Sequence, residues 1–246
     1  GTVEFLFDAD ANTWYFIEVN PRIQVEHTAT ETPTGIALVQ AQIRVAEGWT
    51  LEQIGLPAKI PEPRGYAIQC RVTTEDPEHD FLPDAGRITH YRSPGGFGVR
   101  LDGATAFTGA VVSPHYDSLL VKVCTHALRF EDAISKMHRA LMEFRLRGLK
   151  TNLRFLENVV THPDFVAGRI DTGFIASHPE LLAFTPRRDR GTRLLRYLGH
   201  IAVNGQVEGP KSRTKPDFSV PPLPQPAPSW TPPTDTFKHT LDAKGP

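Results

Sequence analysis

Residues 18–26 carry the side chains best suited to chemistry, since polar and apolar positions alternate along the whole run. The five polar residues are Glu18, Asn20, Arg22, Gln24 and Glu26. Side chains of an extended strand point alternately to opposite faces, so these five would share one face if the run stayed extended. Polar alternation is also common where one face of an antiparallel sheet meets water. The pattern alone therefore leaves two interpretations open, a reactive surface and a solvated strand face.

Another carboxylate, that of Glu4, can join Glu18 across a predicted β-hairpin. Residues 3–7 and 14–19 have strand character and flank a polar segment with the composition of a hairpin loop. Two carboxylates that meet across a ladder repel each other unless a cation lies between them. Carboxylate oxygens and the amide of Asn20 suit Mg²⁺ or Mn²⁺, which take further ligands from water and phosphate. We therefore predict a site for a metal–nucleotide complex here.

Arg22 and Glu26 supply the two charges that an oxyanion site needs. The guanidinium group of Arg22 is planar and permanently charged, which suits bicarbonate or a phosphate group. The carboxylate of Glu26 lies one pleat beyond Gln24 and can act as a general base on a bound oxyacid. The run therefore predicts binding and deprotonation of a small oxyacid beside the metal.

Composition excludes several classes of function. The chain has 246 residues and a formal net charge of -1, without a long run of lysine or arginine, so we expect neither nucleic acid nor an anionic membrane as a partner. It also has no run of about 20 apolar residues and no apolar signal core at its start. We expect a protein of the cytoplasm, or of the mitochondrial matrix in a eukaryote.

The cysteines and histidines give no sign of a disulfide framework or a transition-metal site. Cys70 and Cys124 each lie in an apolar run that predicts a strand, and no CxxC motif accompanies them. The ten histidines show no His-x-x-x-His or similar ligand spacing. We therefore predict buried, reduced thiols and a metal held by oxygen ligands.

Hydrophobic periodicity predicts the elements that position these residues. Apolar residues recur at helical spacing over residues 36–46 and stop at Gly48, which predicts one amphipathic helix. Short apolar runs separated by turn signals over residues 66–125 predict an antiparallel β-domain. Further predictions are a helical face on residues 133–144 that ends near 148, a shorter helix at 153–160, a helix at 192–199 and a strand at 201–204.

Both ends of the sequence suggest a larger parent protein. The first residues already lie in a strand-like run without an initiator methionine, so we expect a paired sheet to continue upstream. After Gly209, closely spaced prolines and few aliphatic residues predict an extended linker and a further domain beyond it.

The run Glu18-Val19-Asn20-Pro21-Arg22-Ile23-Gln24-Val25-Glu26-His27 resembles, residue for residue, the signature of the biotin carboxylases, which belong to the ATP-grasp superfamily. Related enzymes such as carbamoyl-phosphate synthetase share only its Asn-Pro-Arg portion. The resemblance implies an α+β fold, in which the C-terminal half of an ATP-grasp domain precedes the antiparallel-sheet C-terminal lobe of biotin carboxylase. Its implied roles are metal binding by Glu4, Glu18 and Asn20, bicarbonate binding by Arg22, Gln24 and the backbone of Val25, and base catalysis by Glu26.

A second segment, residues 70–77, resembles the strand from which this family directs an arginine at biotin. The resemblance places Arg71 beside the ureido oxygen of biotin, where a permanent positive charge stabilises the enolate. Without this context, Arg71 would be interpreted as a surface arginine on an edge strand.

Residues 144–148 and 188–198 resemble the pyruvate carboxylases, in which the biotin carboxylase domain runs into a linker before the carboxyltransferase domain. Arg145 and Arg190 are implied candidates for binding the effector acetyl-CoA, and the alternative for both is a solvated basic face or a charge at a helix C-terminus. The implied domains are the end of the ATP-grasp domain at 1–50, the C-terminal lobe at 51–185, the start of a linker region at 186–207 and a disordered proline-rich linker at 208–246.

The resemblance implies a ligase that uses ATP, Mg²⁺ or Mn²⁺ and bicarbonate to carboxylate biotin carried on another domain, and that leads to carboxylation of pyruvate to oxaloacetate. Implied partners are a biotin carrier domain, a carboxyltransferase domain, acetyl-CoA and further copies of the same chain. Two alternatives remain open, a biotin carboxylase subunit of an acyl-CoA carboxylase and an inactive assembly or effector-binding fragment. Because the sequence has no glycine-rich phosphate loop, no upstream lysines for ATP and no Met-Lys-Met biotinylation site, we expect the isolated chain to be inactive.

Overall fold

A computed structural model describes residues 1–56, 62–103, 106–184 and 190–205 of the chain. The architecture is mixed α and β with antiparallel sheets, as predicted. The chain divides after residue 186, and the two units are described separately. The predicted domain boundaries stay predictions, and the proline-rich segment from residue 208 lies outside the described residues. None of the helices in the described ranges is long and apolar enough to cross a membrane.

The first element is the predicted β-hairpin, formed by β1 (Thr2–Asp8) and β2 (Thr13–Asn20). Its turn is held by Asp8, whose Oδ1 accepts hydrogen bonds from the backbone N–H groups of Asp10 and Ala11, both at 3.0 Å. The antiparallel register places Glu4 directly opposite Glu18.

The polar run does not stay extended beyond β2, which corrects the expectation of five side chains on one face. Pro21 has no N–H group with which to continue the ladder. The backbone N–H of Arg22 instead donates to the carbonyl of Asn20 at 2.8 Å, which closes a tight turn. Val25 and Glu26 form a second turn that enters a helix.

Two helices follow, α1 (His27–Thr34) and α2 (Leu38–Ala46). The second was predicted, whereas the first was missed, since its threonines and a proline near its end disfavour a helix. Gly35 ends α1 with a positive φ of 71° that glycine adopts readily, and its N–H donates to the carbonyl of Glu31 at 2.8 Å.

A lobe of nine strands and four helices contains the main hydrophobic core of the described residues. In its central sheet the strand order is β3-β10-β8, and three two-stranded ladders join β4 to β5, β6 to β9 and β7 to β11. All these pairs are antiparallel, which confirms the predicted β-domain. The strands are β3 (Tyr66–Thr73), β4 (Glu75–Asp76), β5 (Leu82–Pro83), β6 (Gly86–Arg87), β7 (His90–Arg92), β8 (Val99–Gly103), β9 (Val111–Val112), β10 (Leu119–Ala127) and β11 (Arg145–Arg147).

Helix α3 covers the central sheet with its apolar face. Met137 and Ala140 of this helix are fully buried, as are Val72 of β3 and Val123 of β10. The helix ends at Glu143 rather than near residue 148, because the next residues pair with β7 as strand β11. The helices of the lobe are α3 (Phe130–Glu143), α4 (Leu153–Thr161), α5 (Pro163–Val166) and α6 (Phe174–Ser177), with 3₁₀ turns at Pro77–His79 and Pro179–Leu182.

Helix α7 (Arg190–Asn204) forms the described part of the second unit. It contains the helix predicted at residues 192–199. The predicted strand at 201–204 is wrong, because Leu198 and Ile201 continue the apolar spacing of the helix.

Both cysteines are buried free thiols in strands, as predicted, with Cys70 in β3 and Cys124 in β10. Burial raises the pKa of Cys70 to about 12.

Candidate active site

The opposed carboxylates of the hairpin accept hydrogen bonds from two amide side chains. Nδ2 of Asn20 donates to Oε1 of Glu4 at 3.0 Å and to Oε1 of Glu18 at 2.8 Å. Nε2 of Gln24 donates to the same Oε1 of Glu4 at 2.7 Å. The three predicted metal-binding residues, Glu4, Glu18 and Asn20, therefore lie together. The turn after β2 also brings Gln24 back beside Glu4.

The Gln24 side chain has an unused hydrogen-bonding group. This residue is only 9% exposed, and its Oε1 is buried without a hydrogen-bond partner. A buried acceptor without a donor costs about 1–3 kcal/mol. The position thus suits a ligand that carries a hydroxyl or amide hydrogen.

A cleft of about 600 Å³ opens beside these residues. Its charged lining comes from Arg22 and Glu26, and apolar side chains of α2 form much of the opposite wall. Arg22 is exposed and donates from Nη1 to the carbonyl of Ile23 at 3.2 Å. The other guanidinium nitrogens of Arg22 can therefore bind an anion in the cleft.

Arg71 and Glu26, which are 45 residues apart in sequence, form an ion pair beside the cleft. Nη2 of Arg71 lies 2.9 Å from Oε2 of Glu26, and each side chain is about half exposed, at 52% and 51% respectively. Glu26 stands in the turn before α1, whereas Arg71 projects from β3. The predicted base and the predicted biotin-binding group are thus direct neighbours, and each remains accessible to a ligand.

Asn152 fixes the strand that carries Arg71, and sequence reasoning missed it. Its Oδ1 accepts from the N–H of Thr73 at 3.0 Å, and its Nδ2 donates to the carbonyl of Arg71 at 2.9 Å. Asn152 is 7% exposed. The only local signal was an asparagine just before α4, which is typical of a helix N-cap, yet its side chain forms no capping hydrogen bond.

A charged network, also missed, anchors α1 to the central sheet. The buried carboxylate of Glu31 accepts from Nη1 of Arg100 at 2.6 Å, and Nε of Arg100 donates to Asp102 at 2.8 Å. Lys122 lies 3.4 Å from Asp102, and His27 lies 3.8 Å from both acids. Partial burial raises the pKa of Asp102, but the hydrogen bonds and charges of Arg100 and Lys122 lower it more, so the net shift is downward. Because α1 begins next to Glu26, this network holds the proposed base in register with the sheet.

The two arginines considered for effector binding lie apart from this cleft or outside the described side chains. Nη1 of Arg145 donates to the carbonyls of Met142 and Phe144 at 2.7 and 2.9 Å, and so caps the C-terminal end of α3. Arg190 begins α7, and its side chain is outside the described residues. The effector role of both arginines stays a prediction.

Comparison with known proteins identifies two family domains along the chain. Residues 1–54 match the carbamoyl-phosphate synthase L chain, ATP binding domain, and residues 69–177 match the biotin carboxylase C-terminal domain. The chain is 55% identical over 226 residues to the pyruvate carboxylase of Bacillus subtilis (strain 168), and this alignment covers 90% of this chain and 19% of that protein. It is 51% identical over 246 residues to the mitochondrial pyruvate carboxylase of Homo sapiens, and this alignment covers 100% of this chain and 21% of that protein.

Solved structures give the same result. A complete multifunctional pyruvate carboxylase from Rhizobium etli aligns with a TM-score of 0.75 and 54% identity, over 82% of this chain and 19% of that one. The biotin carboxylase domain of the Hydrogenobacter thermophilus 2-oxoglutarate carboxylase, solved with MgADP, ADP and bicarbonate, aligns with a TM-score of 0.71 and 38% identity, over 75% of this chain and 40% of that one. The chain spans about a fifth of the length of the curated relatives it matches. The chain is thus similar over its full length to part of the pyruvate carboxylases, and its residues 69–177 match the C-terminal domain of the biotin carboxylases.

Proposed function

We propose that this chain forms the bicarbonate-activating and biotin-facing part of an ATP-dependent biotin carboxylase within a pyruvate carboxylase. The observation that carries the proposal is the 2.9 Å ion pair between Glu26 and Arg71. It joins a carboxylate suited to removing a proton from an oxyacid with a guanidinium suited to an oxyanion. A solvated strand face would not require these two groups, on separate elements, to converge beside a cleft.

The opposed carboxylates of Glu4 and Glu18 are the proposed ligands of Mg²⁺ or Mn²⁺. Their oxygens lie around one amide group, and hard oxygen donors suit these ions. A rotation of the Asn20 amide by half a turn would direct its oxygen, instead of its nitrogen, toward the same point. When bound, the metal neutralises phosphate charge on ATP.

Bicarbonate is the proposed ligand of Arg22, Gln24 and the backbone of Val25. The guanidinium of Arg22 binds the negative oxygens of the ion. Glu26 takes the hydroxyl proton, which leaves a more nucleophilic oxygen. Attack of this oxygen on the terminal phosphate of ATP would form carboxyphosphate and release ADP.

Biotin is the proposed ligand of Arg71. A guanidinium has five N–H donors, so Arg71 can remain paired with Glu26 and still donate to the ureido oxygen. As the ureido nitrogen takes the carboxyl group from carboxyphosphate, its proton leaves with the phosphate that is released. The fixed positive charge of Arg71 stabilises the negative charge that develops on the ureido oxygen. Asn152 forms hydrogen bonds with the carbonyl of Arg71 and the N–H of Thr73, and these bonds hold the strand that presents this charge.

The wider assignments belong to the same proposal. The carboxyl group passes from biotin to pyruvate and gives oxaloacetate, and the biotin is borne by a carrier domain that also visits a carboxyltransferase domain. Similarity to pyruvate carboxylases over the full length of the chain supports this acceptor. The related Rhizobium etli pyruvate carboxylase with the allosteric activator acetyl coenzyme-A supports this effector, and the biotin carboxylase domain dimer of the Hydrogenobacter thermophilus enzyme supports an oligomeric parent. Bacterial and mitochondrial relatives support the cytoplasm or the mitochondrial matrix as its compartment.

Two substitutions in an intact pyruvate carboxylase that carries this sequence test the separate roles. Glu26→Gln should suppress bicarbonate-dependent ADP release and biotin carboxylation together, because no base remains for bicarbonate. Arg71→Ala should lower biotin carboxylation by roughly 10²- to 10³-fold, the usual effect of one oxyanion partner, while biotin-independent ATP cleavage largely survives. ADP release is measured with and without free biotin, alongside carboxybiotin formation.

Arg129→Ala is the matched control, because Arg129 also pairs with a glutamate, at 3.5 Å, but lies on the exposed surface of the lobe. It should leave all three activities unchanged. Equal loss of all three activities in Arg71→Ala would show that Arg71 supports the fold or the nucleotide, and the biotin assignment would then be wrong.

A further inference from the structure

Two histidines and an aspartate converge in the helical part of the lobe, remote in sequence from the carboxylates of the active site. His162, Asp164 and His178 each offer one ligand atom, and these three atoms lie within 4.8 Å of one another. Oδ2 of Asp164 is 3.6 Å from Nε2 of His178 and 4.0 Å from Nδ1 of His162. In a tetrahedral zinc site with bonds of about 2.0–2.2 Å, neighbouring ligand atoms are about 3.3–3.6 Å apart. Small side-chain shifts would therefore complete a three-ligand site.

A fourth residue, Glu180, fixes the tautomers of both histidines. Its Oε1 lies 2.8 Å from Nδ1 of His178 and 3.3 Å from Nε2 of His162. An ionised carboxylate only accepts hydrogen bonds, so these two ring nitrogens carry the protons. In neutral rings, the opposite nitrogens, which face Asp164, then carry no proton and can bind a metal through their lone pairs. Metal-binding histidines are oriented in this way by a carboxylate on the other ring nitrogen.

Asp164 is likewise oriented with one oxygen held and the other available. Arg169 donates from Nε to Oδ1 of Asp164 at 3.0 Å, and its Nη2 contacts the same oxygen. Oδ2, the oxygen that faces both histidines, is the one left for a cation.

Packing also holds the imidazole rings in place, and binding of a metal ion would break one weak hydrogen bond. The rings of His162 and His178 lie against Phe174, with centroid distances of 5.4 and 4.7 Å. Nδ1 of His162 accepts from the backbone N–H of Asp164 at 3.2 Å, and an ion at this nitrogen would displace that bond. Because the ligands are already oriented, metal binding can offset the loss of this one hydrogen bond.

We propose that His162, Asp164 and His178 form a binding site for a divalent first-row transition-metal ion such as Zn²⁺, separate from the Mg²⁺-nucleotide site. Imidazole nitrogens favour zinc, copper and nickel, whereas magnesium prefers oxygen ligands. The ion would tie α5 to the segment that follows α6. It would thereby brace the small hydrophobic cluster formed by Phe155, Phe174 and Leu181.

Zinc binding to the full 246-residue chain tests the site. Isothermal titration should give one Zn²⁺ per chain with micromolar or tighter affinity, and Co²⁺ should produce visible absorption bands of a nitrogen- and oxygen-ligated tetrahedral ion. His178→Gln should weaken Zn²⁺ binding by at least about 100-fold, and Glu180→Ala, which removes only the orienting carboxylate, by about 10-fold. Zn²⁺ should raise the melting temperature of the unsubstituted chain but not that of His178→Gln.

His79→Gln is the control, because His79 also pairs with a carboxylate, Asp76, at 2.8 Å but belongs to no three-ligand group among the described residues. It should bind Zn²⁺ like the unsubstituted chain. Excess Mg²⁺ should not displace the zinc. The proposal would be overturned by Zn²⁺ affinity weaker than millimolar, or by a His178→Gln variant that melts normally in EDTA and binds Zn²⁺ with unchanged affinity.

Discussion

Replacement of Asn152 by alanine should destabilise the lobe by about 2–4 kcal/mol. The substitution removes two side-chain hydrogen bonds, to the N–H of Thr73 and the carbonyl of Arg71, at 3.0 and 2.9 Å. Each buried backbone group left without a partner costs about 1–3 kcal/mol, and water reaches the exposed Arg71 more easily. The backbone hydrogen bonds of residue 152 to Thr73 and Leu156 do not involve the side chain and should survive.

Urea unfolding of the chain, followed by circular dichroism, measures this loss as a change in the free energy of unfolding. Asn158→Ala is the matched control, because Asn158 donates to the carbonyl of Leu181 at 2.8 Å but is less buried. We expect a loss of about 1 kcal/mol for this control. If Asn152→Ala cost no more than the control, the claim that Asn152 holds the strand of Arg71 would fail.

Two further predictions concern the charged groups around the site. In the intact enzyme, Glu4→Gln or Glu18→Gln should weaken metal–nucleotide binding, with partial recovery at high Mg²⁺, because each removes one anionic ligand. Nucleotide titrations at several Mg²⁺ concentrations measure this, and unchanged metal dependence would remove that residue from the site. The lowered pKa of Asp102 means that its contribution to stability is full above its unfolded pKa of about 4 and is lost as pH falls through the lower folded pKa. Asp102→Asn should therefore make the unfolding free energy less dependent on pH below about pH 5, and identical pH profiles would contradict the network.

Short-range patterns were enough to predict much of the fold. The hairpin follows from alternating residues on either side of a polar turn, and the buried face of α3 follows from apolar residues such as Met137 at helical spacing. The site residues Glu4 and Glu18 could be paired for the same reason, since hairpin register depends on neighbouring residues. These features depend on interactions between residues close in sequence.

Features that depend on distant contacts could not be predicted in this way. Helix α1 is rich in threonine, but Thr28 contacts Gln69 through its hydroxyl, and tertiary contacts of this kind override a weak helix propensity. The chain turns after Asn20 because proline follows, a signal that was available but was outweighed by the regular alternation. Asn152 and the pair of His162 and His178 acquire their partners only when the chain folds, so their spacing carried no recognisable motif.

The reactivity of the two buried cysteines can report which part of the chain opens first. With a pKa of about 12, the Cys70 thiol is almost wholly protonated at neutral pH, and the thiolate is the form that alkylating reagents attack. Cys124 lies on the face of β10 toward α1, where its Sγ is 3.6 Å from the hydroxyl of Thr32. The rate at which Cys70 is alkylated therefore reports how fast the central sheet separates. The rate at which Cys124 is alkylated reports how fast α1, the helix that adjoins Glu26, is released. The order in which the two thiols become modified would show whether the proposed base detaches before the lobe itself unfolds.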